Sequence, residues 1–259
     1  MSRQFGRHEL GQNFLVDRSV IADIERIVAA TEGPILEIGP GDGALTRPLS
    51  RLGRPITAVE LDPRRAKRLA EQTPRHVMVL NEDVLFHRIS GTPRVVVGNV
   101  PFHITTSTLR WLLAAPHWQT AVLLVQWEVA RRRAGIGGAS LLTARVWPWF
   151  AFEVHSRVDK RAFRPVPTVD GGLLVVHRRP TPLVAERDPY QRFVQTVFTG
   201  RGYGLREILT RSAGVPAPVA RDWLRTHRVP ANALPRDLTA EQWAALWRSV
   251  RRPRRTPSP

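Results

Sequence analysis

Between residues 35 and 132 short apolar runs alternate with helical patterns, and that alternation restricts the possible folds more than any other feature of the chain. The runs are ILEIG (35–39), PITAVELD (55–62), VMVLNED (77–83), RVVVGN (94–99) and the start of TAVLLVQWEVARR (120–132). Each is short and apolar and predicts a buried strand; the last is expected to run on into a helix. Between them lies DGALTRPLSRLG (42–53), with Leu45, Leu49 and Leu52 at helical spacing and Pro48 weakening or bending it. PRRAKRLAEQ (63–72) opens with proline at the first helical position, and STLRWLLAAP (107–116) ends before one. Strands separated by helices predict a parallel sheet covered on both faces. FAFEVHSRV (150–158) and GGLLVVHRR (171–179) have no helix between them and predict an antiparallel pair at the sheet edge.

The rhythm changes near residue 180. PTPLVAERDP reads as a linker, and only helical patterns follow, at 190–198, 205–213, 217–227 and 239–250. The last has Thr239 as a candidate cap and Glu241 in its first turn. Trp223, Trp243 and Trp247 stand at helical spacing and predict the core of this part. The expected organisation is an α/β catalytic domain over 1–179 and a small all-α domain over 180–250. A basic, Pro/Ser-containing tail over 251–259 has no apolar face and is expected to be disordered. There are no internal repeats.

Lys and Arg total 39 against 22 acids, a net charge of +17. That excess points to a polyanionic partner, nucleic acid ahead of an anionic membrane. Lys67 and Lys160 are the only lysines; arginine makes bidentate phosphate contacts and stacks on bases. With no cysteine, disulfides, iron–sulfur clusters, thiolate zinc sites and cysteine nucleophiles are excluded. None of the eight histidines forms a spaced metal pair, so no metal is assigned; His103 reads as a surface or structural residue. No G-x-S-x-G elbow is present. The start, MSRQFGRHEL, lacks an apolar signal core, and runs such as AVLLV (121–125) are too short to span a bilayer. A soluble, cytoplasmic protein is expected.

EIGPGDG (37–43) joins the first strand to the first helix. Glycine at 39, 41 and 43 lets the backbone approach a ligand closely and take positive φ. Glu60, at the end of the second strand, is placed to accept from both hydroxyls of a ribose, and Asp83, ending the third, to meet an adenine amino group. G-x-G-x-G is neither the dinucleotide G-x-G-x-x-G nor a P-loop, which needs Gly-Lys. Its spacing fits S-adenosylmethionine, although the loop by itself leaves NAD open.

The fourth strand ends in Asn99-Val100-Pro101-Phe102. An amide oxygen and a neighbouring carbonyl both accept from an exocyclic NH2 group, Pro101 stiffens the turn, and Phe102 offers a face to a planar base. This set suits an amino group on an aromatic ring drawn out of its stack and aimed at a sulfonium methyl. Transfer then depends on positioning and charge complementarity more than on a strong base.

LGQNFLVD (10–17), EIGPGDGALT (37–46), VELD (59–62), NED (81–83), NVPFHITT (99–106) and FRPVPTVD (163–170) stand in the order found in the ribosomal RNA adenine dimethyltransferases, which the chain resembles over nearly its whole length. NVPFHITTSTLRWLL and LLVQWEVARR are more similar to the Erm branch, which methylates one adenine of 23S RNA and confers macrolide, lincosamide and streptogramin B resistance, than to the branch acting on adjacent small-subunit adenines. The resemblance implies a class I (Rossmann-like) S-adenosylmethionine-dependent methyltransferase acting on naked or assembling 23S RNA, expected as a monomer. It implies that Asn13 and Leu15 touch the cofactor, that Gly39 and Gly41 cradle its methionine part, that Glu60 and Leu61 meet the ribose and that Asp83 and Val84 meet the adenine. Asn99 positions the target amino group with Val100 and Pro101, Phe102 stacks on the adenine, and Phe163 forms a second aromatic wall. Val100 replaces the usual Leu or Ile, and Gly171 stands where Ser is common. Arg131, Arg132 and Arg133, before the glycine-rich AGIGGAS, and Arg161 and Arg164, flanking Phe163, are candidate RNA contacts, with solvated charge as the other reading. A small-subunit enzyme and a catalytically silent nucleic-acid-binding member of the superfamily remain as alternatives.

Overall fold

In the computed structural model residues 13–89, 91 and 95–251 are described. Residues 10–12 of the first motif, Arg94 and the tail from residue 252 lie outside them. The chain divides into two compact units: Met1–Ala130 with Phe152–Arg178, and Arg131–Ala151 with Arg179–Pro259.

The larger unit runs β1 (Phe14–Leu15), α1 (Arg18–Ala29), β2 (Ile35–Ile38), α2 (Thr46–Ser50), β3 (Ile56–Glu60), α3 (Pro63–Gln72), β4 (Val77–Asn81), β5 (Val95–Asn99), α4 (Thr105–Ala114), β6 (Thr120–Gln126) and the start of α5 (Trp127–Arg133). After α6 (Leu141–Val146), which belongs to the smaller unit, come β7 (Phe150–Val158), β8 (Phe163–Arg164) and β9 (Gly171–Arg178). Seven strands form one sheet in the order β4-β3-β2-β5-β6-β9-β7. β2 to β6 are parallel, and β9 enters antiparallel beside β6. The expected mostly parallel sheet with an antiparallel pair at one edge is therefore present. Val95, Val96 and Val97 of central β5 are all fully buried, as a strand covered on both faces requires. Gly98 follows because a Cβ there would stand 2.7 Å from the Ile38 carbonyl oxygen of β2.

Two helices escape the sequence reading. In α1, Asp17 Oδ1 caps the N-terminus by accepting from Ser19 and Val20 N–H (2.8 and 3.2 Å); Ile24 and Val28 face the core. α6 is the other. α2 is shorter than the predicted 42–53 helix, because the chain leaves the positive-φ glycine loop only at Leu45 and Pro48 can donate no N–H.

The smaller unit adds α7 (Arg187–Thr199), α8 (Leu205–Arg211), α9 (Ala217–Thr226) and α10 (Ala240–Arg251). Trp243 is fully buried, stacked on Phe198 (5.9 Å, 15°), and Trp247 meets Tyr190 edge-on (6.1 Å, 88°). With buried Trp223, they form the expected tryptophan core. Thr239 does cap α10, in a reciprocal box with Gln242: Gln242 N–H donates to Thr239 Oγ1 (3.2 Å) and Thr239 N–H to Gln242 Oε1 (2.9 Å). One unit boundary falls at Arg179, and residues 131–151 group with the helices. Helix α6 packs on α7, where the Tyr190 hydroxyl donates to the Ala144 carbonyl (2.9 Å). No helix among the described residues is long and apolar enough to cross a membrane.

Candidate functional site

Parallel α/β sheets bind ligands at the carboxyl ends of their strands. Here the ends of β2, β3 and β5 border a cavity of about 220 Å³, lined by residues 13–16, Glu37, the glycine loop, Arg47, Glu60 and residues 99–102. Nine predicted residues thus come together: Asn13, Leu15, Gly39, Gly41, Glu60, Asn99, Val100, Pro101 and Phe102. Leu61, Asp83 and Val84 lie at the same strand edge but outside the lining. Leu61 is half exposed, Val84 is buried, and Asp83 Oδ1 accepts from Leu85 N–H (2.9 Å).

Asn99 Nδ2 donates to the Asn13 carbonyl (2.7 Å), a contact across 86 positions of sequence. Only the amide nitrogen can donate to a carbonyl, so the bond settles the rotamer and leaves Oδ1 as an acceptor. Pro101, at φ −53°, leads into a short 3₁₀ turn that begins at Phe102. The Phe102 ring packs edge-on against Phe163 (6.1 Å, 71°). Phe163 is itself wholly buried, opposite Leu15 in the β1–β8 pair. Phe163, expected as a second aromatic wall, is not among the residues lining the cavity and touches it only through its edge-on contact with Phe102.

Glu60, 2% exposed, accepts from Gly41 N–H through Oε2 and from Asp62 N–H through Oε1, both at 2.9 Å. It fastens the end of β3 to the glycine loop while each oxygen keeps a further lone pair. Gly41 has φ +57°, and a Cβ there would approach the Phe14 ring to 3.1 Å; at Gly39, φ +61°, nothing lies within 4 Å of that position. The loop is thus tight against the N-terminal segment at one glycine and open at the other. Arg65 stacks over Phe14 (4.3 Å) and pairs with Asp42 (3.3 Å), bracing that segment.

Glu37 is the residue sequence reasoning missed, although it opens the glycine motif. It is buried, and its Oε2 has no hydrogen-bond partner, nor has the Thr46 hydroxyl. Burial pushes its carboxyl up to about 7; the Glu60 charge adds to this and neighbouring Thr46 opposes it. A carboxyl raised on folding stabilises the fold below its unfolded value, and that contribution is lost as pH rises from about 4.5 to about 7. Glu37→Gln removes the titration. The ligand-free variant should therefore gain stability relative to the parent between pH 5 and pH 8, by at most about 3 kcal/mol. Parallel pH profiles of the two melting temperatures would contradict this.

The arginine candidates separate. Arg133 is buried, and its Nη1 donates to the Ser140 and Thr143 hydroxyls, the latter at 3.1 Å; it organises its own loop and is removed from the candidate RNA contacts. Arg131 is half-buried and lies against Gly137, where a Cβ would fall 2.6 Å from its Nη1. Arg132 is exposed. Arg161 is exposed but held by Asp159 in two 2.9 Å bonds, and exposed Arg164 donates to the Arg161 and Phe163 carbonyls. Among the described residues no His, Asp or Glu cluster is placed to hold a metal ion.

The sheet order, glycine loop, buried acid ending β3 and Asn-x-Pro-Phe turn define a Rossmann-like methyltransferase. More narrowly, the chain belongs to the ribosomal RNA adenine dimethylase family, whose model matches residues 3–251. It is 50% identical to the mycinamicin-resistance protein MyrB of Micromonospora griseorubida over 257 residues, 98% of this chain and 82% of that one. It is 53% identical to an rRNA adenine N-6-methyltransferase of Corynebacterium diphtheriae over 209 residues, 80% of this chain and 83% of the relative. The crystal structure of the 23S rRNA methyltransferase ErmE superposes with a TM-score of 0.85 at 36% identity, covering 93% of this chain and all of that one.

Proposed function

We propose that this protein transfers a methyl group from S-adenosylmethionine to the exocyclic amino nitrogen of one adenine in 23S rRNA, and that the modification confers macrolide, lincosamide and streptogramin B resistance. The carrying observation is the Asn99 amide, turned by the Asn13 carbonyl so that its oxygen is the acceptor at a cavity bounded by the glycine loop and Phe102. The similar proteins, named for mycinamicin resistance or rRNA adenine methylation, support the same reading.

The residues fit the cofactor. The open backbone at Gly39 takes a close ligand, and the unpaired Glu37 Oε2 is an anionic acceptor suited to an ammonium group. Glu60 retains acceptor capacity for hydroxyls, with Asp83 and Val84 continuing the edge toward the base. When bound, S-adenosylmethionine supplies an electrophilic methyl on a positively charged sulfur. Asn99 Oδ1 and the carbonyl of the Val100-Pro101 turn accept from the two amino hydrogens of the target. Their pull keeps the nitrogen lone pair directed toward the methyl. Phe102 stacks on the adenine and Phe163 holds the Phe102 ring in place.

Methyl transfer from labelled cofactor onto naked 23S and 16S transcripts tests this. Label is expected in 23S RNA at one adenine, with resistance in cells carrying the gene. Label in 16S RNA alone would make the protein a small-subunit enzyme, and binding without label on either would make it a silent member. Phe102→Ala should lower kcat/KM about ten- to a hundredfold, against less than fivefold for Phe102→Tyr, because a stacked base contributes roughly 1–3 kcal/mol. Equal losses in the two variants would remove stacking from the mechanism.

A further inference from the structure

The smaller unit holds most of the positive charge. Residues 131–151 and 179–259 contain nineteen arginines against six acids, which is +13 of the total +17. The larger unit, which contains every residue lining the cavity, is left with +4. Attraction to a polyanion therefore originates mainly outside the catalytic unit.

Within the smaller unit Tyr203 is 96% exposed. It belongs to TGRGYG (199–204), the turn between α7 and α8, and this turn is tightly built. A Cβ at Gly204 would stand 2.4 Å from the Ala231 carbonyl oxygen, and one at Gly200 would stand 2.7 Å from Ser212 Oγ. At Gly202 it would meet Glu207 and Ile208 at 3.1 Å. Tyr203 N–H donates to Glu207 Oε2 (2.8 Å), and Leu205 N–H to the Ala233 carbonyl (2.6 Å). Glu207 is itself paired with Arg211 (2.5 Å). The backbone of the turn is thus pressed onto α8 and residues 231–233 while its one aromatic ring stands in water. Arg201 and Arg206 stand two and three positions from Tyr203 in sequence; both are exposed, and neither joins the ion pairs found among the described residues.

Folding gains nothing from such a ring, since only burial of its apolar face is favourable. A rigidly displayed aromatic with two uncommitted arginines within three residues of it has the composition of a single-strand nucleic-acid platform, and pre-organisation lowers the entropy lost on contact. We propose that the 199–206 turn is an RNA-binding site in which Tyr203 stacks on an unpaired base while Arg201 and Arg206 pair with the adjoining phosphates. The proposal rests on the reading of 23S RNA as substrate and adds to it an anchoring site in the smaller unit.

Full-length Tyr203→Ala, Tyr203→Phe and the double Arg201→Gln/Arg206→Gln variant test it. The measurements are binding to a 23S transcript across a salt series, kcat and KM for that transcript, affinity for S-adenosylhomocysteine, and melting temperature. Tyr203→Ala should raise the RNA Kd and KM about five- to thirtyfold. Its kcat at saturating RNA, S-adenosylhomocysteine affinity and melting temperature should stay unchanged, and Tyr203→Phe should stay within twofold of the parent. The double arginine variant should flatten the slope of log K against log salt by about 1–2. An unchanged Kd and KM in Tyr203→Ala, with the parent still methylating 23S RNA, would overturn the proposal. So would a fall in melting temperature, which would make the ring structural. A parent that neither binds nor methylates the transcript would instead refute the substrate reading.

Discussion

Asn99→Ala is expected to reduce the single-turnover rate of methyl transfer by two to four orders of magnitude, with S-adenosylhomocysteine affinity falling less than tenfold. In the proposed mechanism Oδ1 accepts from the target amine, and removing one pre-positioned polar group of this kind costs roughly 10²–10³ in rate. The same substitution frees the Asn13 carbonyl from its 2.7 Å bond with Nδ2, which loosens the N-terminal segment and adds to the loss. Asn99→Asp separates the two contributions. It keeps an acceptor but turns a carboxylate toward the Asn13 carbonyl, so it too should be severely impaired. A rate within threefold of the parent for Asn99→Ala would eliminate this residue from the mechanism.

Glu60→Gln should weaken S-adenosylhomocysteine binding about thirty- to a hundredfold and destabilise the ligand-free protein by roughly 2 kcal/mol. Both Glu60 oxygens already accept backbone N–H groups, from Gly41 and Asp62. A glutamine must turn its own NH2 toward one of those donors, which leaves a buried N–H unpaired and releases one anchor of the glycine loop. It also withdraws the anionic acceptor that the proposed mechanism offers to the ribose. Calorimetric titration together with thermal unfolding measures both effects. Affinity within threefold of the parent would show that the carboxylate serves the loop alone.

The sheet was legible because its information is local. ILEIG, ITAVE and RVVVGN announce buried parallel strands by being apolar without alternation, and glycine at 39, 41 and 43 marks a loop able to take positive φ at every second residue, as all three do. The α1 helix was equally local, with Asp17 as its cap and Val20, Ile24, Ile27 and Val28 on one face, and simply went unread. Glu37 was visible as a letter, but its significance is an unpaired oxygen in a desolvated position, which no spacing conveys. The Arg131–Arg132–Arg133 run shows the limit most plainly. Three identical side chains in succession point in different directions on a helix, and the hydroxyls of Ser140 and Thr143 draw one of them inside.

By itself the sequence determined the class of sheet, the position of its ligand edge, the residue types at that edge and the surplus of arginine, since each follows from periodicity, motif or count. Tertiary structure alone decided that Asn13 orients Asn99, that Phe163, buried in the β1–β8 pair, packs edge-on against Phe102, that residues 131–151 join the helical unit, and that Tyr203 faces water on a packed turn. The reason is physical. Secondary structure responds to neighbours a few residues away, whereas burial, amide orientation and exposure depend on partners that folding brings from tens of residues away.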